Sequence, residues 1–406
     1  MNTKDFFSYS LLKRLTHEWA RTGFDITSSF LSPGDIDTLL ERKPRSLIDV
    51  RFESELSKVN ALPWEALSLT SEGFMPFSMA PAIRFFYRSL TRESGYPDRK
   101  IRCLQSVLNK IMSSKLVVDG IWGTSTQDTL MRFQEKYNIQ VDGVLNSRTI
   151  KRLREIMKEG SPRVLIIQAS SEYEKQMYRS TLGRGINLER FYRGYYECDV
   201  SSLRKNSVDE LRYFLGKFSP QIIHMVGTIK EQMRTGEVFI DFGESRYRMG
   251  TSEDEGSIWQ SERSISMSSQ SFSTKIISGL LNDLPLAFSP PLLIIEPASS
   301  PGETEWVRQL FLRNVLAAEI FQLADAPDII ATGIGPDEEA ETFHHNLISS
   351  LFAEENLGGV VDRIRGREMG KDEDEFVVPK YNYNYPIPGS NLTTALFTNN
   401  PYTAPF

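Results

Sequence analysis

Residues 118–126, Val118-Asp119-Gly120-Ile121-Trp122-Gly123-Thr124-Ser125-Thr126, return in altered form at residues 141–149, Val141-Asp142-Gly143-Val144-Leu145-Asn146-Ser147-Arg148-Thr149. In both copies Asp-Gly makes a tight turn, with the glycine free to take positive φ. A helix start follows each turn: Thr124 with Gln127 reads as a capping box, and Asn146 as an N-cap. Between the copies Leu130, Phe133 and Tyr137 share one helical face, and Ile101, Leu104, Leu108 and Ile111 do the same in the helix before them. This internal repeat predicts a small all-α unit over residues 98–156.

On either side of that unit the pattern belongs to a sheet. Before it, residues 46–52 read as a strand, followed by Leu62-Pro63-Trp64-Glu65-Ala66-Leu67 and the Gly73 turn into Phe74–Phe77. After it, Val164-Leu165-Ile166-Ile167, Ile222-Ile223-His224-Met225-Val226, Leu292-Leu293-Ile294-Ile295 and Ile329-Ile330-Ala331-Thr332 are short apolar runs bounded by turn residues. Residues 191–200 also read as strand-like, and 238–242 as the start of a hairpin. Helices are expected over 207–218, where Ser207 and Glu210 form a capping box, and over 304–323 and 336–355. Short buried strands alternating with helices predict an α/β fold with a mostly parallel sheet covered on both faces. The serine-rich stretch 251–273 reads as a mobile loop, and the tail from Tyr381 to Phe406 shows neither helical nor strand period.

Composition narrows the function classes. The chain has 406 residues, 40% hydrophobic and 25% charged, with a net charge of −6. That balance gives no electrostatic footprint for nucleic acid, and the one basic cluster, 363–367, is followed at once by the acidic run 371–375. Two cysteines, Cys103 and Cys198, make no disulfide framework. No secretory signal pattern opens the sequence, and no window approaches the roughly 18–20 apolar residues of a membrane helix, so a cytoplasmic protein without a membrane span is expected. No H-E-x-x-H or clustered Cys/His spacing suggests zinc, and Gly333-Ile334-Gly335 lacks the third glycine of a dinucleotide fingerprint; neither metal nor cofactor is expected. The neighbours His344 and His345 sit on a predicted helix, where adjacent residues point in different directions.

Leu104-Gln105, Asp119-Gly120, Gly123, Thr126, Phe133-Gln134, Asp142-Gly143 and Thr149 resemble the peptidoglycan-binding-like family nearly position for position, Asn146 standing where glycine is usual. The resemblance makes Asp119, Gly120, Trp122, Asp142 and Gly143 the turn residues to examine as a ligand site, although such turns serve the fold first. The flanking chain resembles CHAT domains, which are caspase-like proteases. The resemblance rests on Leu62-Pro63-Trp64-Glu65-Ala66-Leu67, on Gln221–Gly227 where that family has H-x-x-G-H-G, on the hairpin at 236–242, and on Leu293–Ser300 where it has L-S-A-C-E-T. It implies a caspase-like domain over residues 1–92 and 161–368, with the helical unit at 98–156 inserted and residues 371–406 as acidic linker and extended tail.

Such a protease needs a cysteine thiolate with a histidine in reach to activate it. On this sequence the first histidine of the motif is His224, the catalytic histidine position holds Thr228, and the catalytic cysteine position holds Ala298. The resemblance therefore implies a pseudoprotease, a non-catalytic scaffold for protein–protein interaction in a bacterial defence, stress or assembly pathway. Tyr381, Tyr383, Tyr385 and Phe406 of the tail are its expected partner contacts. Two other readings stand beside it: a peptidoglycan-directed component of a phage-like injection or lysis apparatus, and an active caspase-like hydrolase with rearranged catalytic residues.

Overall fold

The computed structural model describes residues 31–41, 99–145, 147–157, 160–168, 188–203, 208–232, 235–241, 271–284, 291–297, 303–324, 327–333, 340–353, 356–365 and 394–398, with 24–25, 27–29, 48–49, 69, 83–84 and 87. Before the repeat unit lie α1 (Pro33–Glu41) and two short parallel strands, β1 (Ile48–Asp49) and β2 (Ile83–Arg84). Of the strand expected over 46–52, Ile48 and Asp49 are the described residues, and both are strand. The unit itself is three helices, α2 (Arg99–Met112), α3 (Thr124–Lys136) and α4 (Ser147–Met157). They enclose a core of their own: Leu104, Val107 and Leu108 from α2, Leu130 and Phe133 from α3, and Leu153 from α4.

The remainder is a mixed, mostly parallel sheet between two helical layers. Its strands are β3 (Arg163–Gln168), β4 (Asp199–Leu203), β5 (Ile222–Glu231), β6 (Val238–Asp241), β7 (Ser271–Ser273), β8 (Leu292–Pro297), β9 (Ile329–Ala331) and β10 (Ala395–Phe397). The order across the sheet is β10-β9-β8-β5-β3-β4. The five from β9 to β4 run parallel, β10 closes the edge antiparallel, and β6 and β7 pair antiparallel beyond the far half of β5. Because successive side chains of a strand point to opposite faces, each apolar run feeds two cores at once. Leu165, Ile167, Ile223, Met225, Leu293 and Ile295 meet α6 (Val208–Phe218), α7 (Thr274–Asn282) and α8 (Glu303–Leu323). Val164, Ile166, Ile222, Leu292, Ile294 and Ile330 meet α5 (Leu188–Tyr196), α9 (Ala340–Ala353) and α10 (Leu357–Ile364). Ile36, Leu69 and Tyr87, which precede the three-helix unit, join the first of these cores with residues that follow it.

Several elements differ from the sequence reading. Of residues 191–200, read as strand, 199–200 do open β4, but 191–196 belong to the helix Leu188–Tyr196: Leu188, Phe191 and Tyr192 at helical spacing bury one face, and that periodicity outweighs the strand preference of aromatic residues. The N-cap of α3 is Gly123, with no side-chain bond, so Thr124 is the first helical residue and no capping box forms. Ser271–Ser273, read as the end of a loop, is β7, and its Ser273 caps α7 by accepting from the Ile276 amide. The tail contributes β10, whose residues are all buried. The chain has packed three apolar residues of an otherwise polar, proline-rich segment against the edge of β9. Tyr87 adds to that edge: its amide donates to Leu396 O (2.7 Å), Thr398 donates back to Tyr87 O (2.9 Å), and its ring stacks on Phe397 at 4.3 Å. The segments 62–67 and 74–77, Ser207, Asn146 and Pro336 lie outside the described residues. Among the described residues no helix is long and apolar enough to cross a membrane.

Candidate functional site

The two Asp-Gly turns are held by the same device twice. In the first, Gln105 of α2 is buried and its Nε2 donates to Asp119 Oδ1 (2.9 Å), Ile121 O (3.1 Å) and Thr126 Oγ1 (3.2 Å), while its Oε1 accepts from the Gly120 amide (2.9 Å). In the second, Gln134 of α3 donates to Asp142 Oδ1 (2.7 Å), Val144 O (3.1 Å) and Thr149 Oγ1 (3.1 Å) and accepts from the Gly143 amide (2.9 Å). Each aspartate also accepts from the amide two residues on, Ile121 at 2.9 Å and Val144 at 2.8 Å. The Ile121 amide, then the Gln105 side chain, hold the Asp119 carboxyl below its ordinary value. Gly120 (φ 81°) and Gly143 (φ 66°) take the left-handed conformation that the repeat predicts. Asp119, Gly120, Asp142 and Gly143 are thus occupied with their own turns.

What the turns present outward is apolar. Of the large hydrophobic side chains exposed among the described residues, Val117, Val118, Ile121, Trp122, Val141 and Val144 belong to these two turns, and only Tyr213 and Leu323 lie elsewhere. Of the predicted turn positions, Trp122 is 39% exposed and Asp119 is exposed too, while Gly120 and Gly143 are buried.

In the α/β part, β5 and β8 are neighbours, and Gly227 pairs with Pro297. Pro297 is the last residue of β8, whereas β5 runs on past Gly227 through Thr228 to Glu231. Thr228 is half-buried, its Oγ1 has no hydrogen-bond partner among the described residues, and it pairs with Asp241 of β6. Ala298, Tyr381, Tyr383, Tyr385 and Phe406 lie outside the described residues. Neither cysteine is in a disulfide and both are buried, and burial pushes the Cys198 thiol up to about 12, which leaves it protonated at neutral pH.

The structure also assembles a polar cluster that the sequence keeps far apart. His224 of β5, Glu296 of β8 and His344 of α9 meet between the sheet and its second helical layer, all within 1% of complete burial. The Nε2–H groups of His224 (3.2 Å) and His344 (2.9 Å) donate to the same Glu296 Oε2, and His224 Nδ1 meets the Tyr192 hydroxyl of α5 at 3.1 Å. Burial alone would raise the Glu296 pKa, but the charge of His344 and the two imidazole hydrogen bonds outweigh it and hold it at about 2. Burial pushes His224 below its ordinary value against the pull of Glu296, and burial lifts the Tyr192 hydroxyl well above its own. His345, next in sequence, is exposed, as adjacent helical positions require. Among the described residues these three side chains also form a group able to hold a metal ion. Nothing in the positions 224, 296 and 344 announces this; alternation along two strands that become neighbours only in the sheet is the one signal that bears on it.

The sheet order, with the chain working outward from β3 in both directions, defines a doubly wound α/β domain carrying a three-helix unit. A family model described as a putative peptidoglycan binding domain matches residues 98–153, the span of that unit. No curated protein matches the chain in sequence.

Proposed function

We propose that the chain is a non-catalytic binding protein whose ligand surface is the pair of Asp-Gly turns and whose ligand class is peptidoglycan. The observation that carries this is the concentration of exposed apolar side chains on the two turns of the segment that matches the family. Aromatic and aliphatic surface stacks on the apolar faces of sugars and on peptide side chains, and it is stabilising only when a ligand covers it. The α/β part supports the same reading as a caspase-like domain without its dyad, with the three-helix unit inserted in it. Its β8 ends at Pro297 beside Gly227 of β5, one residue before Thr228, the position at which the resemblance looks for a base. Thr228 offers no base there, and Cys198 lies in the connection between α5 and β4, its thiol pushed up to about 12 by burial.

Sedimentation with insoluble peptidoglycan tests the reading. The purified full chain should co-sediment saturably. Trp122→Ala and the pair Ile121→Asp with Val144→Asp, all at exposed sites, should weaken binding at least about tenfold with thermal unfolding unchanged. No sedimentation above background, or binding indifferent to both variants, would remove peptidoglycan as the ligand and return the turns to fold service alone.

A further inference from the structure

We propose that His224, His344 and Glu296 form a closed structural site for a divalent transition metal of the zinc class. Three separate elements, β5, β8 and α9, deliver two imidazoles and a carboxylate to one point, and the ligand atoms lie within 4.8 Å of one another. An ion bonded to nitrogen and oxygen at about 2.0–2.1 Å, with bond angles between right and tetrahedral, spaces its donors by about 2.9–3.4 Å. The observed separations from Glu296 Oε2 are 2.9 Å to His344 and 3.2 Å to His224.

The surroundings fit a metal centre in three further ways. First, Tyr192 meets His224 Nδ1, which fixes the ring with Nε2 facing the cluster, the usual arrangement behind a ligating histidine. Second, Glu296 Oε1 is buried and has no hydrogen-bond partner among the described residues. A carboxylate oxygen left so in an apolar core is destabilising, and bidentate coordination would satisfy it. Two Nε2 atoms and two carboxylate oxygens then make the four donors of a closed zinc site. Third, two imidazoles with one carboxylate suit zinc and other late first-row divalent ions rather than calcium or magnesium, which take oxygen donors. Complete burial leaves no path for a substrate, so the ion's role here is to hold α9 against β5 and β8. Burial also means that loading accompanies folding.

The test uses Co2+ and Zn2+ as probes on the full chain. Protein unfolded in urea with chelator is refolded with Co2+ and, separately, with Zn2+ or with chelator alone. The expected result is one Co2+ per chain with tetrahedral visible absorption bands, displaced by one equivalent of Zn2+. A Tm about 5 °C or more above the chelated sample should accompany it. His344→Asn should abolish the bands and His345→Ala should leave them. Should His344→Asn fail to fold, Tyr192→Phe keeps every ligand and should weaken metal affinity about 10–100-fold. Absence of bands and of any Tm difference in the wild-type chain overturns the proposal, as do bands that survive His344→Asn or an affinity unchanged by Tyr192→Phe.

Discussion

Replacing Phe397 with alanine tests whether the tail strand belongs to the cooperative core. Phe397 is 1% exposed, and its ring lies 4.3 Å from Tyr87 at 12° and 6.2 Å from Phe321. Truncating a fully buried phenylalanine costs about 3–5 kcal/mol, the spread reflecting how far the cavity can collapse. Here β10 is an edge strand whose backbone bonds to β9 survive the substitution, so it can settle inward, and about 3 kcal/mol is the expected loss. Urea unfolding followed by far-ultraviolet circular dichroism reads it as a lower midpoint at unchanged slope. A double-mutant cycle with Tyr87→Ala should show a coupling of about 0.5–1.5 kcal/mol from the stacked rings. A loss below about 1 kcal/mol would mean that residues 394–398 dock without stabilising the fold, and the tail would again be the dispensable extension that its composition suggests.

Gly143→Ala places a β-carbon 3.1 Å from Gln127 Cγ and 3.3 Å from Met131 Cγ at a φ of +66°; thermal unfolding should show a loss of about 1–2 kcal/mol, and a neutral variant would refute the strained-turn argument. Cys198, with its thiol pushed up to about 12, should resist alkylation at pH 8 until denaturant is added, and rapid stoichiometric labelling of the native chain would contradict its burial. For the metal-free chain, both shifted groups of the buried cluster favour their deprotonated forms in the folded state. The His224 contribution is full above its unfolded value near 6.5 and falls as acid is added, and that of Glu296 is full above about 4.5 and is lost as pH drops toward about 2. A Tm that stays level from pH 7 to pH 4 would be inconsistent with the His224 shift, and one that stays level from pH 4 to pH 2 with the Glu296 shift.

The sheet was legible because short, almost wholly apolar runs such as 164–167, 222–226 and 292–295, bounded by turn residues, fit strands buried on both faces of a parallel sheet. The repeat unit was legible because Asp-Gly followed by a helix start has few other uses. The helix at 188–196 was not, since Phe191-Tyr192 and Tyr195-Tyr196 satisfy strand preference locally and reveal their helical face only against α9. Nor was β10, whose three apolar residues lie in a polar tail and form a strand only because β9 has a free edge. The cluster of His224, Glu296 and His344 was hidden for another reason. Each residue alone is a polar exception in an apolar element, and their meeting depends on the order of strands, which no local pattern encodes.

That order also explains how the three-helix unit is carried. Arg99, the first residue of α2, is buried and donates to the carbonyls of Leu281 (2.7 Å) and Leu284 (2.5 Å) at the end of α7, where cationic side chains are favoured. Lys100 forms an ion pair with Asp328, whose Oδ1 also accepts from Thr398 Oγ1 at 2.6 Å. Asp328 immediately precedes β9, and Thr398 immediately follows β10. One buried carboxylate therefore joins the start of the helical unit, the edge of the parallel sheet and the tail strand. The guanidinium and carboxylate contacts are charge-assisted and largely removed from water, where such bonds are at their strongest. Load placed on the turns is thus passed through α2 to the end of α7 and the edge of the sheet at β9. The α/β domain in this way gives the three-helix unit a rigid seat.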